Sequence, residues 1–381
     1  MQRIFQLMMK TIRMSKAKET VLEIDLRALT HNFNYLKSKL KPKTKFLAVV
    51  KAFAYGSDSV AVAKHLENLE ADYFAVAYAN EGVVLRDAGI TKPILVLHPL
   101  PTSFKTIIDR CLEPSLYNTK VLNEFIEIAE TQSQKNYPVH IKFNTGLNRL
   151  GFQENDVDAI VSKLKATSAI KAKSIFSHLA ASEDKNEVNF TENQINSFKT
   201  IASNFENKIG YKPWLHICNT SGVLNYLEAH FDMVRCGIGL YGFGNSATEN
   251  SNLQPIASLK SVISQIHNIK EKESVGYNRA YIAKDLEKTA TIPIGHADGI
   301  GRIYGKGKGY VIINGKKAPI IGNVCMDMIM VNITRIDCKE GDEVIIFDST
   351  YNASGLAQSA NTISYEILTA ISQRVPRKFL R

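Results

Sequence analysis

The sequence predicts a closed barrel of eight parallel strands with covering helices, followed by a smaller domain of mostly β structure. Short apolar runs rich in β-branched and aromatic residues recur from Lys45 onward, and segments with helical spacing separate them. After about Gln254 the pattern changes to alternating strands and turns. Parallel strands covered by helices are almost continuously apolar, and eight strand–helix units close a barrel. A chain of 381 residues has room for both domains.

The predicted barrel strands follow one another along the first two-thirds of the chain. The eight runs are 45–51, 73–79, 93–99, 113–118, 139–144, 173–179, 214–219 and 233–239. Helices are predicted between them, for example over 59–69, 80–89 and 191–205. An open, doubly wound sheet stays an alternative to the closed barrel. The segment 21–40 predicts a strand and then a helix, and the sequence leaves open which domain that strand joins.

Turn signals and alternation define the second domain. The segment 309–322 contains an Asn314-Gly315 hairpin signal, 343–348 predicts a further strand, and 361–375 predicts a last helix. We therefore expect a barrel domain over 19–254 and a β domain over 255–381. Residues 1–18 contain bases and no acid, as transit peptides do, but the favoured interpretation is a disordered N-terminal extension or a start at Met14.

Composition and charge exclude several classes of protein. The formal charge of +10 is dispersed and accompanied by no recognition motif, which argues against nucleic acid, although cationic surroundings suit a phosphorylated cofactor or a carboxylate substrate. The five cysteines form no CxxC pair, which indicates reduced thiols in the cytoplasm and no zinc site. No run approaches the ~20 apolar residues of a membrane span. A cytoplasmic protein without a metal is the resulting expectation.

Polar residues stand at the ends of the predicted barrel strands, where barrel enzymes place their reactive groups. They are Lys51, Lys142, Asn144, His178, His216, Asn219 and Arg235. A lysine after an apolar strand is either in a structural ion pair or functional, because lysine is seldom buried. Burial lowers the pKa of an amine and makes it a good nucleophile toward an aldehyde such as pyridoxal phosphate. The glycine-rich segment 235–244 would suit the phosphate, although it could be only a tight loop.

Nine motifs in order resemble those of the alanine racemase family. They are AVVKAFAYG (48–56), KFNTGLNRLGF (142–152), SHLA (177–180), HICNTSG (216–222), VRCGIGLYG (234–242), SVGYNRAY (274–281), IGHADG (294–299), GNVCMD (322–327) and SYEILTAISQRVPR (364–377). The resemblance extends from about Glu19 to Arg381. It implies a pyridoxal-phosphate-dependent isomerase that acts on alanine, assembles as a homodimer with shared active sites, and supplies D-alanine for peptidoglycan.

The resemblance also implies roles for individual residues. Lys51 would hold the cofactor and act as one base, and Tyr277 of the partner subunit would be the second, because inversion requires bases on both faces of a planar intermediate. Arg235 would face the pyridine nitrogen, which a guanidinium leaves unprotonated. The cofactor-binding set also contains Tyr55, His178, Asn219, Thr220, Gly237, Ile238 and Tyr365. The substrate carboxylate would meet Arg149 and the backbone N–H of Met326, and the supporting residues are Lys142, His216, His296 and Asp327.

Three residues depart from the family pattern. Asn144 stands where the family commonly has Asp, Leu147 where it has Met, and His296 where it has Tyr. The first two put the support of Arg149 in doubt, and His296 could alter substrate access, substrate size or pH dependence. Lys142 matches a lysine that is often carbamylated in the family. We hypothesise the same modification here, and an unmodified amine would contradict it.

Three other functions stay as alternatives. A decarboxylase of basic amino acids shares the barrel and the lysine motif, but Arg235 disfavours it because those enzymes place an acid at the pyridine nitrogen. A cofactor carrier without turnover would need neither Tyr277 nor Met326. A racemase of different or broader amino-acid scope is the closest alternative.

Overall fold

This computed structural model describes residues 17–381, which form two compact units. One comprises Ile24–Ala257 and Phe379–Arg381, and the other comprises Ser258–Lys378 together with 17–23. The predicted N-terminal extension lies outside the described residues except for its last two positions. The domain limits 19–254 and 255–381 stay predictions. Within residues 17–381, no helix is both long enough and apolar enough to cross a membrane.

The first described elements are strand β1 (Val21–Asp25) and helix α1 (Leu26–Ser38). Asp25 caps the helix, because its carboxylate accepts the backbone N–H groups of Arg27 at 2.8 Å and Ala28 at 3.2 Å. An uncapped first turn would leave these donors unsatisfied. The β1 strand pairs in the large sheet of the second unit, which answers the question that the sequence left open.

An eight-stranded parallel sheet forms the core of the first unit and confirms the predicted fold class. Its strands are β2 (Lys45–Val49), β3 (Tyr73–Val76), β4 (Ile94–Val96), β5 (Glu113–Leu116), β6 (Tyr137–Lys142), β7 (Ile170–Phe176), β8 (Trp214–His216) and β9 (Met233–Cys236). The order is β8-β7-β6-β5-β4-β3-β2-β9. Backbone hydrogen bonds of 3.1 Å from Asp232 to Leu215 and from Arg235 to Cys218 join the two outer strands and close the barrel. Each predicted run overlaps one strand.

Helical segments follow the strands of this barrel, most of them on its outside. They are α2 (Lys51–Tyr55), α3 (Ser59–Asn68), α4 (Ala79–Asp87), α5 (Phe104–Asp109), α6 (Thr119–Thr131), α7 (Val157–Ala166), α8 (Val188–Ile209), α9 (Thr220–Asn225) and α10 (Ala247–Asn250). Helix α6 shows why they pack there, because its buried positions form one stripe. Phe125 in that stripe is fully buried, with its ring 6.0 Å from that of Tyr137 in β6. Burying such a side chain contributes about 1.5–3 kcal/mol.

The second unit is built on one large and one small β sheet. Its strands are β10 (Ala257–Val262), β11 (Gln265–Ile269), β12 (Ser274–Val275), β13 (Tyr281–Ile282), β14 (Glu287–Ile292), β15 (Tyr310–Ile313), β16 (Lys316–Ile321), β17 (Ile329–Asn332), β18 (Glu343–Phe347) and β19 (Arg377–Leu380). The nine-stranded order is β11-β14-β17-β16-β15-β18-β10-β1-β19, while β12 pairs with β13. Two short helices follow β18, α11 (Ala353–Ser359) and α12 (Ser364–Ala370).

The predicted hairpin is confirmed, whereas the last helix is shorter than predicted. Asn314 and Gly315 have φ angles of 48° and 76° and connect β15 to β16, as the tight hairpin turn requires. Helix α12 ends at Ala370 and Ile371 is extended. The guanidinium of Arg377 donates to the carbonyl oxygens of Ile371, Ser372 and Val375, so this side chain satisfies backbone groups of the segment that follows the helix.

Candidate active site

Lys51 follows β2 and starts a short turn with left-handed backbone. Four consecutive residues with a Cβ atom adopt positive φ angles of 53°, 55°, 50° and 51°, namely Ala52, Phe53, Ala54 and Tyr55. Each such residue costs about 1–2 kcal/mol relative to a right-handed conformation. The surrounding structure must therefore stabilise this turn.

The carboxylate of Glu81 in α4 is one of the groups that hold the turn. It accepts the backbone N–H of Ala52 at 2.6 Å and that of Ala77 at 2.7 Å, so it links the loops after β2 and β3. Glu81 is not among the site residues predicted from the sequence. Its signal is an acid in the first turn of a helix, which ordinarily indicates only a helix cap.

The Lys51 amine lies in positively charged surroundings. Burial, followed by the charge of Arg149, lowers the pKa of Lys51, while the carboxylate of Glu81 acts in the opposite direction. Lys142, at the end of β6, is 7% exposed, and burial together with Arg149 and Arg235 lowers its pKa to about 8. Two amines on this rim thus have a larger unprotonated fraction than surface lysines, which is the form that attacks a carbonyl carbon.

Arg235 in β9 is buried and held by four contacts. One guanidinium nitrogen lies 2.8 Å from His216 Nδ1, and the other lies 3.0 Å from His178 Nδ1. The second nitrogen also donates to the carbonyl oxygens of Ser177 at 2.7 Å and Ile217 at 3.0 Å. Burial and the Arg235 charge lower the pKa of both histidines far below the usual value, so both rings are neutral and can accept from the guanidinium.

Two hydroxyl groups and a glycine turn form a cradle after β9. A Cβ atom at Gly237 would lie 2.5 Å from Tyr55 Oη, so this approach requires glycine. Thr220 Oγ1 accepts the N–H groups of Gly237 and Gly239, both at 3.3 Å, which leaves its own proton to donate elsewhere. Asn219 is occupied locally, because its side chain caps α9 at the N–H of Gly222.

The loop that carries Arg149 is organised by Asn144, one of the departures from the family pattern. Asn144 Oδ1 accepts the N–H groups of Asn148 at 2.9 Å and Gly146 at 3.2 Å, and its amide donates to Asn148 Oδ1 at 2.8 Å. An aspartate could accept the first two bonds but could not donate the third. The asparagine therefore supports the loop through its neutral amide.

The second unit carries the other predicted residues on exposed loops. Tyr277 follows β12 and is 73% exposed, and Met326 is 58% exposed. The Met326 loop is joined to the His296 loop by backbone hydrogen bonds from His296 to Cys325 at 2.9 Å and from Ala297 to Met326 at 3.0 Å. The Tyr365 side chain belongs to α12 of the same unit.

Arg374 connects these two loops through their aspartates. Its Nε donates to Asp298 Oδ1 at 2.6 Å and its Nη2 to Asp327 Oδ1 at 2.7 Å, while Asp298 Oδ2 accepts the N–H of Gly295 at 2.8 Å. Asp327 is predicted from the sequence as a supporting residue, whereas Asp298 and Arg374 are not among the predicted residues. Both stand inside quoted motifs, but no sequence spacing indicates that they meet.

The predicted site residues thus fall into two sets. The barrel unit holds Lys51, Tyr55, Lys142, Arg149, His178, His216, Asn219, Thr220, Arg235, Gly237 and Ile238 at or after the carboxyl ends of its strands. The second unit holds Tyr277, His296, Met326, Asp327 and Tyr365. Among residues 17–381, no three or more His, Cys, Asp or Glu side chains are grouped to hold a metal ion.

The barrel set fits a phosphorylated aldehyde. An amine of lowered pKa suits the aldehyde carbon, the hydroxyls beside the glycine cradle suit a phosphate, and a fixed guanidinium can donate to a ring nitrogen. Fold and site together define the class of barrel proteins that bind pyridoxal phosphate through a lysine at a strand end.

Comparisons with known proteins identify the family. The alanine racemase N-terminal domain model matches residues 24–244 and the alanine racemase C-terminal domain model matches 256–379. An alanine racemase of Halothermothrix orenii is 35% identical over 371 residues, covering 95% of this chain and 97% of the relative. Alanine racemase 2 of Bacillus subtilis is 36% identical over 378 residues, covering 96% and 95%. The chain belongs to the alanine racemase family.

Solved structures agree with this assignment. An alanine racemase of Clostridium difficile has a TM-score of 0.89 at 34% identity and covers 96% of each chain. An alanine racemase from Bartonella henselae with covalently bound pyridoxal phosphate has a TM-score of 0.87 at 27% identity, with coverage of 96% of this chain and 100% of the other. The family is pyridoxal-phosphate-dependent, which agrees with the cofactor predicted here.

Proposed function

We propose that this protein interconverts L-alanine and D-alanine with pyridoxal phosphate as its cofactor. The observation that carries the proposal is the pairing, on one barrel rim, of a Lys51 amine of lowered pKa with an Arg235 guanidinium fixed by four contacts. The family membership and the racemases among its relatives support the same activity. The product would serve as the D-alanine of peptidoglycan.

Each barrel residue has one task in this proposal. Pyridoxal phosphate, when bound, delocalises the negative charge that proton removal leaves on the substrate α-carbon. Lys51 Nζ would hold its aldehyde carbon. The hydroxyls of Tyr55 and Thr220 would donate to its phosphate beside Gly237 and Ile238, and Tyr365 would complete that set. His178 and Asn219 would line the site, His178 through its contact with Arg235.

Proton transfer would use two bases on opposite faces of the substrate. After the substrate amino group has replaced it on the aldehyde carbon, the released Lys51 Nζ would accept the proton on one face, and Tyr277 Oη of the partner subunit would return a proton on the other. The high exposure of Tyr277 in the single chain supports a role across a dimer interface. The guanidinium of Arg235 cannot accept a proton, so it would leave the ring nitrogen unprotonated.

The substrate carboxylate would be held from two sides. Arg149 would supply the positive charge, and the Met326 backbone N–H would donate a hydrogen bond. Lys142 and Asp327 would keep these groups in position, and His296 would influence which side chains can enter. The homodimer and the cytoplasmic location stay predictions.

Absorbance and turnover of the purified holoenzyme test the proposal together. We expect a visible cofactor band and conversion of L-alanine to D-alanine, with the band lost in Lys51→Ala, and conversion lost in both Lys51→Ala and Tyr277→Phe. Lys105→Ala is the matched control, because Lys105 is exposed and its ammonium pairs with Asp109 in its own helix. A cofactor band without alanine turnover, but with turnover of serine or lysine, would refute alanine specificity and favour a broader racemase.

A further inference from the structure

Four buried side chains connect the amino end of the barrel to Arg235. His216 Nε2 lies 2.9 Å from Ser174 Oγ, which lies 2.6 Å from His140 Nδ1, and His140 Nε2 lies 2.7 Å from Glu113 Oε2. His140, Ser174 and His216 are completely inaccessible to solvent. Together with the contact between His216 and Arg235, these three contacts form one unbroken chain across the barrel interior.

The two ends of the chain fix the direction in which hydrogen is donated. Arg235 is always a donor, so His216 Nδ1 must carry its lone pair toward the guanidinium. A neutral His216 then has its proton on Nε2 and donates it to Ser174 Oγ. At the other end, the Tyr73 hydroxyl and the Lys173 ammonium both donate hydrogen bonds to Glu113, and these donors stabilise its ionised carboxylate. The carboxylate therefore accepts from His140 Nε2.

The serine in the middle completes the sequence. Its oxygen accepts from His216, so its proton points to His140 Nδ1, and a neutral His140 accepts there while donating to Glu113. A protonated His140 would donate to Ser174 as well. Within the described part of the chain the Ser174 hydroxyl has no third hydrogen-bonding partner, so its proton would then lack an acceptor.

We infer that Glu113, His140 and Ser174 are positioning residues that lock His216 in the tautomer that accepts from Arg235. Only one set of proton positions on His216, Ser174 and His140 gives every donor in this chain an acceptor. The Glu113 carboxylate selects that set, because it can only accept. As a consequence, the Arg235 guanidinium keeps its orientation, because His216 presents a lone pair to it and cannot present an N–H group. This positioning role depends on the proposed function in one respect, which is the contact between Arg235 and the cofactor.

The neighbours of Glu113 and His216 support this direction of hydrogen-bond donation. Tyr73 Oη donates to Glu113 Oε2 at 2.6 Å, and Lys173 Nζ lies 3.0 Å from Glu113 Oε1. Both carboxylate oxygens therefore face donors. At the other end, the ring of Phe176 stacks on His216 with centroids 4.7 Å apart and an interplanar angle of 4°, which holds the imidazole plane in place.

Neutron diffraction from crystals of the perdeuterated holoenzyme tests the arrangement directly. We expect deuterium on His140 Nε2 and His216 Nε2, a Ser174 deuteron directed to His140, and none on His216 Nδ1. Deuterium on His216 Nδ1, or on both nitrogens of His140, would overturn the inference. This measurement uses the unaltered protein, so it decides the matter even where a variant does not fold.

The functional consequence is tested with two buried serines of the same barrel. Ser174→Ala breaks the chain, whereas Ser115→Ala removes a completely buried hydroxyl that has no hydrogen-bond partner among residues 17–381. We expect Ser174→Ala to change the pH dependence of the cofactor absorbance and to lower kcat about ten- to hundredfold, with little change in KM, as loss of an outer hydrogen-bond partner does at metal sites. Ser115→Ala should leave the spectrum and kcat unchanged.

The outcomes separate this inference from the proposed function. If Ser174→Ala matches Ser115→Ala in spectrum and kcat, the positioning role is wrong even though the enzyme is a racemase. If the wild-type protein carries the expected deuterons but does not turn over alanine, the chain of hydrogen bonds stands and the proposed function fails.

Discussion

The lowered pKa of the Lys142 amine favours its reaction with carbon dioxide. Its pKa of about 8 leaves a substantial unprotonated fraction near neutrality. Addition of CO₂ forms an N–C bond and releases a proton, and the resulting carbamate would carry a negative charge toward Arg149. We expect a carbamate signal in ¹³C NMR of the protein with labelled bicarbonate, larger as the pH rises through 8, and absent from Lys142→Met. An unmodified Lys142 at pH 9 would contradict the hypothesis.

The ionisation of the buried Glu113 makes the free energy of unfolding depend on pH in the acid range. Its folded pKa of about 2 is below the ordinary 4.5, so the folded state gains about 3 kcal/mol when the carboxylate is ionised. Because the pKa is lowered on folding, this contribution is complete above about pH 4.5 and is lost as the pH falls toward 2. We expect wild type and Glu113→Gln to differ in free energy of unfolding by this order at pH 6 and to converge near pH 2.

Urea denaturation at several pH values measures this difference. Glu154→Gln is the control, because that carboxylate lies in an exposed turn of the same unit. A difference between wild type and Glu113→Gln that stays constant from pH 6 to pH 2 would show that Glu113 stabilises the barrel by some means other than its charge.

An arginine near the end of the chain bridges two loops of the second unit. Arg374 holds Asp298 and Asp327 together, and Asp327 adjoins Met326, whose backbone N–H is proposed to bind the substrate carboxylate. We expect Arg374→Ala to lower kcat/KM for alanine between tenfold and a hundredfold, mainly through KM, because small displacements of binding groups have effects of this size.

Steady-state kinetics with two further variants complete this test. Arg374→Lys should recover little, because an ammonium cannot reproduce the paired donation of a guanidinium. Arg335→Ala, at an exposed position in the same unit, should match wild type. A loss confined to kcat would contradict the proposed effect on the carboxylate site.

At the level of elements, the sequence predicts strands and rim residues better than turns and long-range contacts. The eight barrel strands are predictable because each is a separate apolar run, and Lys51 and Arg235 stand out as charges beside or within such runs. The left-handed turn is not predictable from periodicity, since Ala52 and Phe53 ordinarily favour other conformations. The Arg374 bridge and the buried chain from Glu113 depend on residues far apart in sequence, which only the folded structure brings together.

At the scale of the whole molecule, the proposed dimer makes a quantitative prediction about mixed subunits. Lys51→Ala and Tyr277→Phe should each be inactive alone, because each destroys one base in every site. In a mixed dimer, one of the two sites combines Lys51 from one subunit with Tyr277 from the other. Half of randomly assembled dimers are mixed, so the activity of the mixture should reach about a quarter of wild type.

Subunit exchange under mild denaturation, followed by an assay of D-alanine formation, measures this recovery. A mixture of Lys51→Ala with the double variant Lys51→Ala/Tyr277→Phe is the control and should stay inactive, because no site regains Lys51. Absence of recovery in the first mixture, with dimers demonstrated by light scattering, would indicate that both bases come from one chain.

The left-handed turn after Lys51 has a consequence for protein engineering. Its four strained residues together carry about 4–8 kcal/mol, an amount comparable to the net stability of many domains. Substitution of Ala52 or Ala54 by glycine would remove part of this strain energy, so we expect either change to raise the thermal stability of the protein. The same relaxation would make the neighbouring Lys51 less rigidly positioned, so the gain in thermal stability would be accompanied by a loss of catalytic rate.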